Sequence, residues 1–218
     1  VDGFWPDCAV EGHGHPVGKA GMVAQMDAAI EFFDALKRAR PDMTIAYTSG
    51  SSPSPFWLEH VDFVWRGGSD DEHAGEGDPF DRHATYIDGC LQVHRPTDMP
   101  ASAFVTFDIV QPRLAGTSDA AFERNAWWLA ARTSLHHDWY VQAGDLSPER
   151  WKALAKAAVW AKGHERLFRA SRRGGGDPRN GAVYGISAFE DWAGVLALRN
   201  PSSKPGTLER TLKNLLVL

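Results

Sequence analysis

Short β-rich apolar runs alternate along most of this chain with amphipathic stretches at helical spacing, and the connections between them are short. That alternation restricts the fold to parallel strands joined by crossover helices, as a barrel or an open doubly wound sheet. Residues 19–40 read as a helix, because Met22, Met26, Ala29, Ile30, Phe33 and Leu36 recur on one face and Pro41 stops it. Residues 43–48, 61–65, 103–110 and 137–141 read as strands, and residues 83–93 as a helix. Thr117 or Ser118 caps a helix running to about Thr133, and Ser147 with Pro148 opens another. No GxGxxG or P-loop follows any strand, which disfavours a nucleotide-binding sheet. Acidic residues at strand exits favour the (β/α)8 TIM barrel, whose active sites lie at the C-terminal face of the strands.

The expected fold is therefore a partial α/β barrel of about five strands, its C-terminal half, over residues 1–172. Beyond Arg172 the pattern changes. Residues 174–181 read as a turn-rich linker, and residues 182–188, 194–198 and 207–218 as short strands that begin an antiparallel β-sandwich domain. The chain opens at Val1, which reads as the last residue of a strand, and closes at Leu218 inside an apolar run. A fragment of a longer protein is the expectation.

Composition removes several function classes. The net charge of -5 gives no basic footprint for nucleic acid, and no apolar run approaches the length of a membrane span. Cys8 and Cys90 read as free thiols rather than a disulfide framework.

Chemistry concentrates at two strand ends. Val61-Asp62-Phe63-Val64-Trp65 stops at Gly67-Gly68 and is followed by Ser69-Asp70-Asp71-Glu72; Asp2 occupies a similar exit at the start of the chain. Neighbouring strands lie ~4.8 Å apart, so acids two strands apart stand roughly 9–10 Å apart at their Cα atoms. Side chains leaning inward reach the ~5–5.5 Å used by retaining glycosidases for a nucleophile and an acid/base. Acids in such places also cap helices or form surface ion pairs.

The same residues resemble a known family. Val1-Asp2-Gly3 is similar to the end of the Lys-x-Asp-Gly motif of the α-galactosidase (melibiase) clan, glycoside hydrolase families 27 and 36. Thr48-Ser49-Gly50, Ser54-Pro55-Phe56-Trp57-Leu58 and residues 61–65 resemble the next strand ends of family 36-like members, and Ser69-Asp70 their acid/base motif. Asp177-Pro178, Val183-Tyr184-Gly185 and Leu198-Arg199-Asn200-Pro201 resemble the junction into the C-terminal β domain of that family. The resemblance implies Asp2 as nucleophile and Asp70 as acid/base, with Asp71 as the alternative. It implies a sugar subsite lined by Trp5, Thr48, Ser49, Trp57 and Trp65, an oligosaccharide or α-glycoside substrate, no cofactor and no metal. It also permits a homo-oligomeric parent enzyme. The family's Ser-Gly-Gly-Gly-Arg stretch reads Ser49-Gly50-Ser51-Ser52-Pro53 here, so its substrate-clamping arginine has no match.

Two other readings stand beside this one. His13 and His15 form a His-x-His at a strand exit, with His73, His83, His94, His136 and His137 near other loops; such a set can hold zinc for a barrel hydrolase. The missing arginine also fits a barrel that binds carbohydrate without turning it over.

Overall fold

The computed structural model describes residues 8–12, 14–48, 54–69, 72–92, 103–110, 114–132, 137–142, 144–169, 171–209 and 211. They divide between two compact units, Val1–Gly67 and Gly68–Leu218.

In the first unit, helix α1 spans Gly18–Ala39, one residue off the expected span at each end. Its buried positions are Gly21, Ala29 and Phe33, whereas Met22 is exposed, so the inner stripe is narrower than the sequence pattern. Phe33 meets Tyr47 edge-on at 5.1 Å, and Tyr47 meets Trp57 at 4.8 Å. This aromatic column joins α1 to strand β1 (Ala46–Tyr47) and to the 3-10 turn Pro55–Glu59. Strand β2 (Phe63–Trp65) pairs with β1 in parallel, Ala46 opposite Phe63. Asp62 fixes the turn into β2: one carboxylate oxygen accepts from the Ile45 amide at 2.7 Å and from Lys37 Nζ at 2.6 Å.

The second unit begins with helix α2 (Pro79–Gln92). Strand β3 (Phe104–Val110) is followed by helix α3 (Asp119–Ala131), whose N-cap Ser118 accepts from the Ala121 amide at 3.3 Å. Strand β4 (His137–Tyr140) pairs in parallel with β3 through a bulge between Phe107 and Ile109. Helix α4 (Pro148–Gly163) starts at Ser147, whose side chain accepts from Arg150 N, with Pro148 at the first helical position. A short helix, α5 (Glu165–Phe168), follows. Phe80, Leu114, Phe122, Leu129, Leu146 and Leu154 form the core under α2, α3 and α4.

Of the stretch 174–181 read as a linker, Gly174 and Gly175 instead end strand β5 (Arg172–Gly175), while Pro178–Asn180 form a 3-10 turn. Strand β5 pairs antiparallel with β6 (Tyr184–Glu190), which pairs antiparallel with β7 (Ala193–Arg199). Glycine is required because the backbones approach closely: at Gly175, with φ +95°, a Cβ would stand 2.5 Å from Tyr184 Cα. Thr207–Glu209 are not in a strand, and residues 212–218 of the expected last strand lie outside the described residues. The described elements thus form a mixed α/β structure with two parallel strand pairs and a three-stranded antiparallel sheet.

Candidate functional site

The loop leaving β2 is built by two consecutive glycines. Gly67 and Gly68 have φ of 80° and 81°, a left-handed conformation that glycine adopts without steric cost. Before them, the half-buried Trp65 ring carries the Arg66 guanidinium 4.4 Å from its centroid, and Arg66 is itself buried. After them, helix α2 holds the loop at several points. The Ser69 amide donates to the Tyr86 hydroxyl at 2.8 Å, and the Ala74 amide to the Arg82 carbonyl at 3.0 Å. His83, fully buried, places Nδ1 3.4 Å from the Glu72 carbonyl oxygen. The His73 and His83 rings lie 5.9 Å apart.

Further along, Asp78 accepts from the amide and hydroxyl of Ser118 at 2.8 and 2.6 Å, and those bonds hold its carboxyl below the usual aspartate value. Glu76 accepts from the Ser203 amide at 2.7 Å and is lowered for the same reason. The acidic stretch is therefore tied to α2, to the start of α3 and to the loop after β7.

Of the residues proposed from sequence for chemistry or sugar contact, Asp2, Trp5, Ser49, Asp70 and Asp71 lie outside the described residues, as does His13. Thr48 is half-buried at the end of β1. Trp57 is 3% exposed and packs against Tyr47 and Phe56, so its ring serves the core of the first unit. Trp65 stands at the strand exit, as the pattern predicts. His15 is half-buried, with Nδ1 2.8 Å from the Pro16 carbonyl oxygen. Among the described residues, no group of three or more His, Cys, Asp or Glu side chains could hold a metal ion.

An apolar pocket of about 240 Å³ lies in the second unit, lined by Leu129, Leu154, Trp139 and Phe168 together with alanines of α3 and α4. Lys162 and Glu165 are its charged members, so it offers no pair of carboxylates.

Sequence patterns do not reveal a buried polar network behind α2. Asp88 is 1% exposed and accepts from Trp128 Nε1 at 2.7 Å, from the Tyr184 hydroxyl at 2.5 Å and from Arg132 Nη1 at 3.3 Å. Arg173 Nη1 lies 4.0 Å from the same carboxylate. Arg199 donates to the Tyr184 hydroxyl at 2.8 Å, to Thr85 Oγ1 at 2.7 Å and to the Asp81 carbonyl at 2.7 Å. Burial, with the neighbouring Asp88 charge, raises the Tyr184 phenol well above its ordinary value. Burial pushes the Arg173 guanidinium down to about 10, against the opposing pull of Asp88. The network is enclosed and joins helices α2 and α3 to the β5–β7 sheet.

No protein-family model matches the chain, and no curated protein matches it. Solved structures do. The α-galactosidase from Lactobacillus brevis is similar with a TM-score of 0.59 at 12% identity, over 88% of this chain and 25% of that one. A family 36 α-galactosidase from Geobacillus stearothermophilus, solved in complex with raffinose, is similar with a TM-score of 0.54 at 12% identity, over 79% of this chain and 24% of that one. The galactosidase domain of an α-galactosidase–sucrose kinase gives 0.52 at 15% identity, over 80% of this chain and 25% of that one. The chain thus resembles family 36 α-galactosidases in fold and spans about a quarter of their length.

Proposed function

We propose that this chain is part of a retaining glycoside hydrolase acting on terminal α-galactosides. In this reading residues 1–172 form the C-terminal half of a (β/α)8 barrel, and the sheet after Arg172 begins a β domain. The observation that carries the proposal is the agreement of two independent signals. Short motifs in family order run from Asp2-Gly3 through Ser69-Asp70 to Arg199-Asn200-Pro201, and the fold is similar to those same enzymes. Asp2 attacks the anomeric carbon to form a covalent glycosyl-enzyme. Asp70, with Asp71 as the alternative, protonates the leaving oxygen and then takes a proton from the incoming water. One neighbour was solved with raffinose, which makes a raffinose-type oligosaccharide the first substrate to test.

The test is hydrolysis of raffinose and an aryl α-galactoside, with the anomer of the first-formed product followed by proton NMR. The expected product is the α-anomer, and Asp2→Asn abolishes turnover while sugar binding persists. Release of the β-anomer rules out the retaining mechanism. Activity lost to a chelator and restored by zinc points to the histidine reading. Sugar binding without turnover in the unsubstituted protein leaves a carbohydrate-binding barrel.

A further inference from the structure

Strand alternation sorts the C-terminal ends of β1 and β2 into two faces. Tyr47 and Val64 stand opposite each other and are buried. Thr48 and Trp65, the next residues in the same register, are half-buried and share the other face. That face therefore presents a hydroxyl and an indole side by side. Arg66 follows, and alternation sends it back to the buried side, where it is 1% exposed. Its guanidinium nonetheless lies over the Trp65 ring, with Cζ 4.4 Å from the centroid, and Nη1 donates to the Gly67 carbonyl at 2.6 Å. A guanidinium fixed at two points covers one face of the indole, and rotating the ring away would forfeit the cation–π attraction. A cation so enclosed acts through the ring it holds rather than by reaching a ligand.

We propose that Arg66 is a positioning residue for a stacking platform at Trp65: it occupies one face of the indole and holds the other for the apolar C–H face of a pyranoside. The Thr48 side chain stands beside that platform. This inference rests on the reading of Trp65 and Thr48 as sugar-subsite residues, and it asks nothing of the two catalytic carboxylates.

Raffinose is the probe, titrated calorimetrically into the unsubstituted protein, Trp65→Ala, Arg66→Met, Arg66→Lys and the double variant Trp65→Ala/Arg66→Met. Affinity is expected to fall about tenfold or more in Trp65→Ala. In Arg66→Met, which keeps the ring but not its cation, the expected fall is roughly three- to tenfold. Arg66→Lys keeps the charge without the planar fork, so its affinity is expected to lie between those of Arg66→Met and the unsubstituted protein. In the double variant, Arg66→Met adds nothing to the loss from Trp65→Ala, because a residue that acts only through the ring has nothing left to act on. A full additive loss there, or unchanged affinity in Arg66→Met, overturns the positioning role. A lower Tm with unchanged affinity is what a merely structural arginine gives. Urea unfolding checks that each variant is folded; should Arg66→Met fail to fold, Arg66→Lys alone and on the Trp65→Ala background decides by the same comparison. If raffinose does not bind the unsubstituted protein, or binds Trp65→Ala equally well, the subsite reading fails and takes the inference with it. Loss in Trp65→Ala without loss in Arg66→Met sinks the inference alone.

Discussion

Replacing Asp88 with asparagine changes one atom and isolates what the buried network requires. All the polar groups facing this carboxylate are donors: Trp128 Nε1 and the Tyr184 hydroxyl at Oδ2, and the Arg132 and Arg173 guanidiniums at Oδ1. A carboxylate is acceptor-only and suits them all. An amide keeps one acceptor and turns the other position into a donor. In one orientation its NH2 opposes the indole N–H and a hydroxyl that already accepts from Arg199; in the other it opposes two guanidiniums. Either way at least one bond to the carboxylate is lost, at about 1.5–3 kcal/mol for a charged group, and Arg132 and Arg173 lose the negative charge beside them. The expected cost is about 3–5 kcal/mol, a large part of the roughly 5–15 kcal/mol that holds a typical domain together. In thermal terms this is a fall of roughly 6–20 °C in Tm. Urea unfolding followed by tryptophan fluorescence and circular dichroism measures it, with Trp128 as a reporter inside the network. A cost below about 1 kcal/mol for Asp88→Asn refutes the reasoning, since it means the arginines did not depend on this carboxylate.

Other perturbations follow from the same geometry. Ser118→Ala removes the N-cap of α3 and the hydroxyl bond to Asp78, leaving the amide bond in place; a loss of about 1 kcal/mol in urea unfolding is expected. Gly175→Ala places a Cβ 2.5 Å from backbone at φ +95°, so about 3 kcal/mol or more is lost and the β5–β6 pairing loosens, seen as faster amide exchange at Gly185 and Ile186. The chain has 4 tyrosines, and spectrophotometric titration is expected to show one that resists ionisation until unfolding. The sign follows from Tyr184: its folded pKa lies above the ordinary value of 10.0, so its contribution to stability is complete below about pH 10 and is lost as pH rises through the folded value. Tyr184→Phe flattens that alkaline loss if the assignment holds.

The elements that could be read from the sequence carry their information locally. Ser118 and Ser147-Pro148 announce helix starts through the bonds a cap must make, and both cap where expected. The β-rich run before Val110 and the hairpin around Trp192 are strands for similarly local reasons. Helix α2 begins at Pro79, four residues before the expected start, because the glycines at 75 and 77 mask the Pro79 signal for a first helical residue. The stretch 174–181 reads as a linker in one dimension, and only pairing with β6 reveals Gly174 and Gly175 as the end of a strand that admits no side chain at Gly175. In the site, Trp65 falls at a strand exit as its pattern suggests, whereas Trp57 looks the same in sequence and is packed into the aromatic column of the first unit. Tyr86 and Asp88 carry no sequence signature, because their partners are brought to them by folding rather than by spacing.

The Asp88 network also dictates an order of events during synthesis. Asp88 and Trp128 emerge from a ribosome long before Tyr184 and Arg199, and the hydrogen bond that joins Asp88 to Tyr184 spans 96 residues. Until the last hairpin is made, an acid destined for the interior has only part of its donor set, and water remains its better partner. Contacts of such long sequence separation slow folding, because the loop between them must be closed before they are gained. Helices α2 and α3 thus reach their final packing only after β6 and β7 exist, and translation that stops near Arg172 leaves a nascent chain whose central helices expose a charged, unfinished face to chaperones and proteases.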